Sequence, residues 1–137
     1  MIGIDPGLSG AIAVYNKDGY YAEEMPTMSV GKKGKKQINP LGVKELLETM
    51  GMETVYLESV HSMPQNGGAA NFSFGDSFGV LRATCLIMGY PMILVTPQAW
   101  KKYYKLDKDK EQARAMAITM FPAENFNRKK DSDRAEA

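Results

Sequence analysis

Residues 2–15 read IGIDPGLSGAIAVY: an apolar run, one aspartate, a Pro-Gly turn, and a second apolar run. Asp5 stands where the first run ends, in a stretch otherwise suited to buried sheet. A carboxylate is almost never fully buried unless something compensates it, and an isolated buried anion protonates rather than remain charged. Asp5 therefore either faces solvent at a strand end or has a cation to meet. The pattern around it predicts strands over Ile2 to Ile4 and Ala11 to Tyr15. Asn16-Lys17-Asp18-Gly19 is a turn signal, and a third strand over Tyr20 to Glu24 completes an antiparallel meander.

A polar segment, Met25 to Gln37, follows and contains GKKGKK. Asn39-Pro40 opens a helix, with Asn39 as N-cap and Pro40 in the first helical position. Glu53 to Glu58 (ETVYLE) is rich in strand formers. After a loop of Pro, Gln, Asn and Gly, a long helix is expected from Ala69 to Met88, ending at Gly89. Met92 to Val95 is another strand. Thr96-Pro97 caps the helix QAWKKYYK, a further helix covers Lys110 to Phe121, and the sequence reaches Ala137 inside the expected start of one more. A meander followed by strands alternating with helices implies an α/β fold, a mixed sheet flanked by helices.

The 137 residues read as one domain with an ordinary soluble composition. No signal peptide is visible, and no apolar run approaches the roughly 20 residues that span a membrane. The single cysteine, Cys85, lies in the long helix as core filler, which suits a reducing, cytoplasmic-type compartment. The net charge of +1 does not announce a nucleic-acid partner, but its distribution is uneven. From Trp100 onward ten Lys/Arg face seven Asp/Glu, against seven and nine in the first ninety-nine residues.

Glu58 closes a later strand as Asp5 closes the first. If the two strands are parallel neighbours, both carboxylates emerge at the edge where α/β sheets place ligands. The ending KKDSDRAEA adds Asp133 and Glu136, three apart and so on one helix face. Converging carboxylates repel, and a hard divalent cation resolves the conflict. Oxygen ligands suit Mg²⁺ or Mn²⁺, whereas one histidine and one cysteine supply a zinc site poorly. On spacing alone, a strand-end turn residue and a solvated helix face account for the same acids. Asp131 is five residues from Glu136 and precedes the helix, where a short acidic side chain makes an N-cap.

IGIDPGLSGAIAV, VYLESVHSMPQNG, FSFGDSFGVLRATCLIMGYPMILVTPQAWKK and the ending RKKDSDRAEA, in this order, resemble the RuvC-type Holliday-junction resolvases, nearest the phage and plastid branch. These belong to the RNase H/integrase-like superfamily. The resemblance implies an RNase H-like mixed five-stranded sheet flanked by helices over residues 1–137. It also implies a structure-specific endonuclease that resolves four-way DNA junctions by metal-dependent paired nicking. Its metal ligands and catalytic acids would be Asp5, Glu58, Asp133 and Glu136, holding two Mg²⁺ per active site, with Mn²⁺ as substitute. The family's final helix continues with further apolar residues that this sequence does not show, so the domain is expected to lack the end of that helix.

The partners implied are four-way junction DNA and a second copy of the chain, with no membrane and no small-molecule substrate. The compartment would be a bacterial or phage-infected host cytoplasm, or an organelle stroma. Expected DNA contacts are His61, Gln65, Asn66, Lys101, Lys102, Lys105, Lys129 and Lys130. The long helix carries two apolar stripes, and Phe74, Phe78 and Leu81 are the expected dimer contacts. The rival readings are an RNase H-like nuclease acting on other branched DNA or on RNA, a nucleotide-binding relative of actin and the sugar kinases, and a non-catalytic junction binder. The nucleotide-binding reading lacks a second phosphate loop in this chain.

Overall fold

The computed structural model describes residues 1–59, 61, 67–107 and 109–137, with the side chain of Lys130 left aside. Five strands form the main sheet: β1 (Ile2–Ile4), β2 (Ala11–Asn16), β3 (Gly19–Glu24), β6 (Val55–Glu58) and β7 (Met92–Val95). Their order is β3-β2-β1-β6-β7. The β1–β2 and β2–β3 ladders are antiparallel, and β1–β6 and β6–β7 are parallel. This is the expected mixed five-stranded sheet.

The segment expected to be merely polar is instead a hairpin of β4 (Thr27–Val30) and β5 (Lys35–Ile38). Its strands are short, and the lysines conceal their alternation. Gly31 and Gly34, with φ of 73° and 62°, supply the left-handed backbone that its turn needs.

The helices are α1 (Pro40–Met50), α2 (Gly68–Ile87), α3 (Pro97–Tyr103), α4 (Lys110–Met120) and α5 (Ser132–Glu136), the last preceded by a 3₁₀ turn over Lys129–Asp131. Pro40 begins α1 as expected, but the Asn39 side chain makes no cap bond. Thr96 does cap α3, accepting from the Ala99 N–H at 3.2 Å. Asp109 caps α4 in the same way through Glu111 N–H at 2.9 Å.

Ile2 and Ile4 of β1 point to one face of the sheet. There, with Ile12, Val43, Leu47, Val55 and Leu57, they make the principal core under α1 and α2. Cys85 fills this core as expected, and burial pushes its thiol up to about 11. A smaller cluster of Ala22, Ala117 and Phe126 holds α4 and α5 against the other face. Gly3 points to that second face, where a Cβ would overlap the carbonyl oxygen of Ala137. The missing side chain in IGID is what lets the chain's last turn lie directly on the central strand.

The expected dimer contacts lie on the side of α2 turned toward the core. Leu81 is 0 % exposed in the principal core, and Phe78 packs against the same core. Phe74 is half-buried on that side of the helix. The face of α2 turned outward carries instead Phe72, 74 % exposed, and Leu86, 52 % exposed, with Gly75, Gly79 and Ala83 between them. A helix apolar nearly all round does not disclose which stripe the sheet takes. The sheet took the one with the larger side chains.

Candidate metal-dependent active site

Parallel register sets the heart of the site. Ile4 pairs with Leu57, so the next residues, Asp5 and Glu58, leave adjacent strands at the same level. The Asp5 backbone is fixed by its N–H to Ala11 O at 3.0 Å. Gly10 is required beside it, because a Cβ there would run into Asp5 O. Burial, followed by the charges of Glu58 and Asp133, raises the Asp5 pKa to about 7, against an opposing backbone hydrogen bond from Gly7.

Helix α5 brings Asp133 and Glu136 to the same edge, and two lysines meet them there. Lys110 Nζ lies 2.6 Å from Asp133 Oδ1 and 3.7 Å from Glu136 Oε2. Lys101 Nζ lies 3.0 Å from Glu136 Oε1. Burial works against the charge of Lys110. The Asp133 hydrogen bond and the fields of Asp133, Glu136 and Asp5 outweigh it and hold this ammonium above its ordinary value. The Trp100 indole N–H donates to Glu58 Oε1 at 3.1 Å, and Lys101 Nζ sits 5.0 Å from the centre of the same ring.

Neither Trp100 nor Lys110 was expected among the residues meeting the acids. The signal available for Lys110 was its place in the first turn of α4, which only the fold turns toward α5. Beside Glu58 and Glu136 an apolar cavity of about 610 Å³ opens between the sheet and helices α3 and α4, with Tyr56, Met116 and Phe121 in its wall.

Among the described residues no group of three or more His, Cys, Asp or Glu closes into a metal cage. The donor chemistry nevertheless fits a hard divalent cation. Four carboxylates share one edge, and the charges of two of them add to burial in raising the Asp5 pKa. Among the described residues the lysines form ion pairs with Asp133 and Glu136, and the charge of Lys110 only partly offsets the forces that raise Asp5.

Asp131 stands apart from this group. It is 1 % exposed and accepts from the Arg128 backbone N–H at 2.9 Å, and from Arg128 Nε and Nη2 at 3.1 and 2.8 Å. It occupies the N-cap position of α5 but makes no cap bond to that helix. Its side chain closes the preceding 3₁₀ turn instead, because the arginine three residues back reaches it first. These bonds, opposed by burial, hold its pKa down at about 2. A lowered carboxylate stabilises the fold above its unfolded pKa of about 4 and loses that contribution as pH falls through about 2. Asp131→Asn is therefore expected to lower the melting temperature at pH 7, with the gap to wild type closing as the pH approaches 2. Thermal unfolding across that range measures it.

Of the expected DNA contacts, His61, Lys102, Lys105 and Lys129 are exposed, whereas Lys101 is half-buried against Glu136. Gln65, Asn66 and the Lys130 side chain lie outside the described residues.

A sheet of order β3-β2-β1-β6-β7 with acids at the carboxyl ends of β1 and β6 defines the RNase H-like class of fold. Within that class the chain has the fold of RuvC. A structure described as T. thermophilus RuvC in complex with Holliday junction substrate matches with a TM-score of 0.65 and 17 % identity, over 98 % of this chain and 87 % of that one. A second Thermus thermophilus RuvC structure matches at 0.60 and 18 %, over 99 % and 90 %. At this identity the likeness is one of fold. No family model and no curated protein sequence matches the chain.

Proposed function

We propose that this protein is a divalent-metal-dependent endonuclease that cuts four-way DNA junctions as a homodimer. The observation that carries the reading is the placement of Asp5 and Glu58 at one level on adjacent parallel strands, with Asp133 close enough to raise the Asp5 pKa. The likeness to a RuvC fold seen with a Holliday junction supplies the substrate class.

Asp5, Glu58, Asp133 and Glu136 would hold the cations. Two Mg²⁺, or Mn²⁺ in their place, would supply Lewis acidity for hydrolysis of a phosphodiester. The chain's own groups do the rest. Trp100 fixes the Glu58 carboxylate, and Lys110 and Lys101 orient Asp133 and Glu136. Lys102, Lys105 and Lys129 are exposed and add positive charge to draw in phosphates. Exposed His61, with Gln65 and Asn66 in the same loop of the sequence, would meet bases at the junction centre.

Paired nicking of a two-fold junction needs two active sites related by a two-fold axis. The outward face of α2 suits that contact, since Gly75, Gly79 and Ala83 let a second helix approach closely between Phe72 and Leu86. Ala83→Glu is expected to turn a dimer into a monomer with unchanged melting temperature, as read by light scattering.

The deciding experiment incubates purified protein and Mg²⁺ or Mn²⁺ with a synthetic mobile junction, linear duplex and single-stranded RNA. Paired nicks on the junction alone are expected. Equal cutting of all three, or none on the junction, overturns the reading.

A further inference from the structure

The hairpin of β4 and β5 is not used by the site described above. Lys32, Lys33, Lys35 and Lys36 are four of the seven basic residues in the first ninety-nine, and no acid occurs between Glu24 and Glu45. All four are exposed, and among the described residues none forms an ion pair.

The tip is built rather than loose. Gly34 N–H closes the turn on Gly31 O at 3.1 Å, and Val30 pairs with Lys35. Paired residues share a face, so Met28, Val30, Lys35 and Gln37 look one way and Ser29, Lys36 and buried Ile38 the other. Lysines thus project from both faces and from the turn. Met28 and Val30, 40 % and 42 % exposed, lie among them.

Topology aims this ribbon. Strand β3 runs parallel to β1, because each is antiparallel to β2. Asp5 N–H bonds Ala11 O, and Ala11 pairs with Glu24, so β3 ends level with Asp5. Met25 N–H then bonds Gly10 O at 3.0 Å, and Asn39 N–H bonds Pro26 O at 2.9 Å, anchoring the hairpin base. The base of the ribbon therefore sits at the level of the acid-bearing edge, and its strands of four residues span about 13 Å from base to tip. A nuclease must hold duplex on that side, and an unpaired cationic ribbon there matches a phosphate backbone.

We propose that the β4–β5 hairpin grips a duplex DNA arm by its phosphates, through Lys32, Lys33, Lys35 and Lys36, beside the catalytic edge. This rests on the nuclease reading for its substrate but not for its chemistry. The test compares wild type with the fourfold variant K32Q/K33Q/K35Q/K36Q, measuring affinity for a synthetic junction and for a plain duplex as salt is raised.

The variant is expected to keep its melting temperature and its single-turnover cleavage rate at saturating protein. Its junction affinity should fall about 10- to 100-fold, and its log–log salt slope should flatten by up to three or four, about 0.9 per lost phosphate contact. A K32R/K33R/K35R/K36R variant should bind like wild type. Equal affinity and slope in wild type and the glutamine variant overturns the proposal, and is also the result if the ribbon serves an acidic protein partner. A wild type that binds duplex through these lysines but neither prefers nor cuts junctions leaves this proposal standing and defeats the junction reading.

Discussion

Asp5→Asn should leave junction affinity intact or improved and lower cleavage by about 10³-fold or more, since it removes a ligand charge where transition-state charge is stabilised. The raised pKa gives this variant a second signature. The folded value is about 7 and the unfolded value near 4. The protonated folded form is favoured, so that contribution is complete below about pH 4 and is lost as pH rises through about 7. Metal-free wild type should therefore lose melting temperature across that window. Asp5→Asn should not, and above pH 7 it should be the more stable protein. Divalent-cation affinity should weaken below pH 7 in wild type, because a carboxylate must shed its proton to ligate. Calorimetry with Mn²⁺ and thermal unfolding at several pH values measure both effects. A variant that loses junction binding and folding together would make Asp5 a structural residue.

Leu81→Ala is expected to cost about 2–5 kcal/mol of stability, the range for emptying a buried leucine site in a close-packed core. Leu81 is 0 % exposed among Ile2, Leu57 and the other residues of the principal core. Association should be untouched wherever the protein remains folded. Ala83→Glu, on the opposite face of the same helix, should show the reverse pattern. Denaturant melts beside light scattering separate the two. If Leu81→Ala dissociates a dimer without loss of stability, the faces of α2 have been assigned the wrong way round.

Much of the architecture follows from the one-dimensional pattern. The meander, the two later strands and the helices after Asn39, Thr96 and Asp109 are local matters. Alternation, turn residues and caps act within a few positions and need no distant partner. The first and last acids of the candidate site are legible for a related reason: a carboxylate closing an apolar strand, or a pair three apart on a helix, is odd or patterned in its own neighbourhood. The hairpin at residues 27–38 is the local exception, because lysine-rich strands of four residues carry almost no hydrophobic signal.

What the tertiary structure alone decided is which groups meet. No spacing relates Lys110 to Asp133 or Trp100 to Glu58, and each pair becomes adjacent only when α3, α4 and α5 fold over one sheet edge. Asp131 and Asp133 are two residues apart in a single acidic run. Arg128 takes one of them out of the site, and Gly3 lets α5 settle so that the other faces Asp5. The choice between the stripes of α2 was likewise a packing outcome, since both are apolar and the core took the one with the larger side chains. Hydrophobic pattern and capping are short-range and can be read along the chain. Charge pairing and close approach depend on distance in space, and the sequence by itself does not carry that distance.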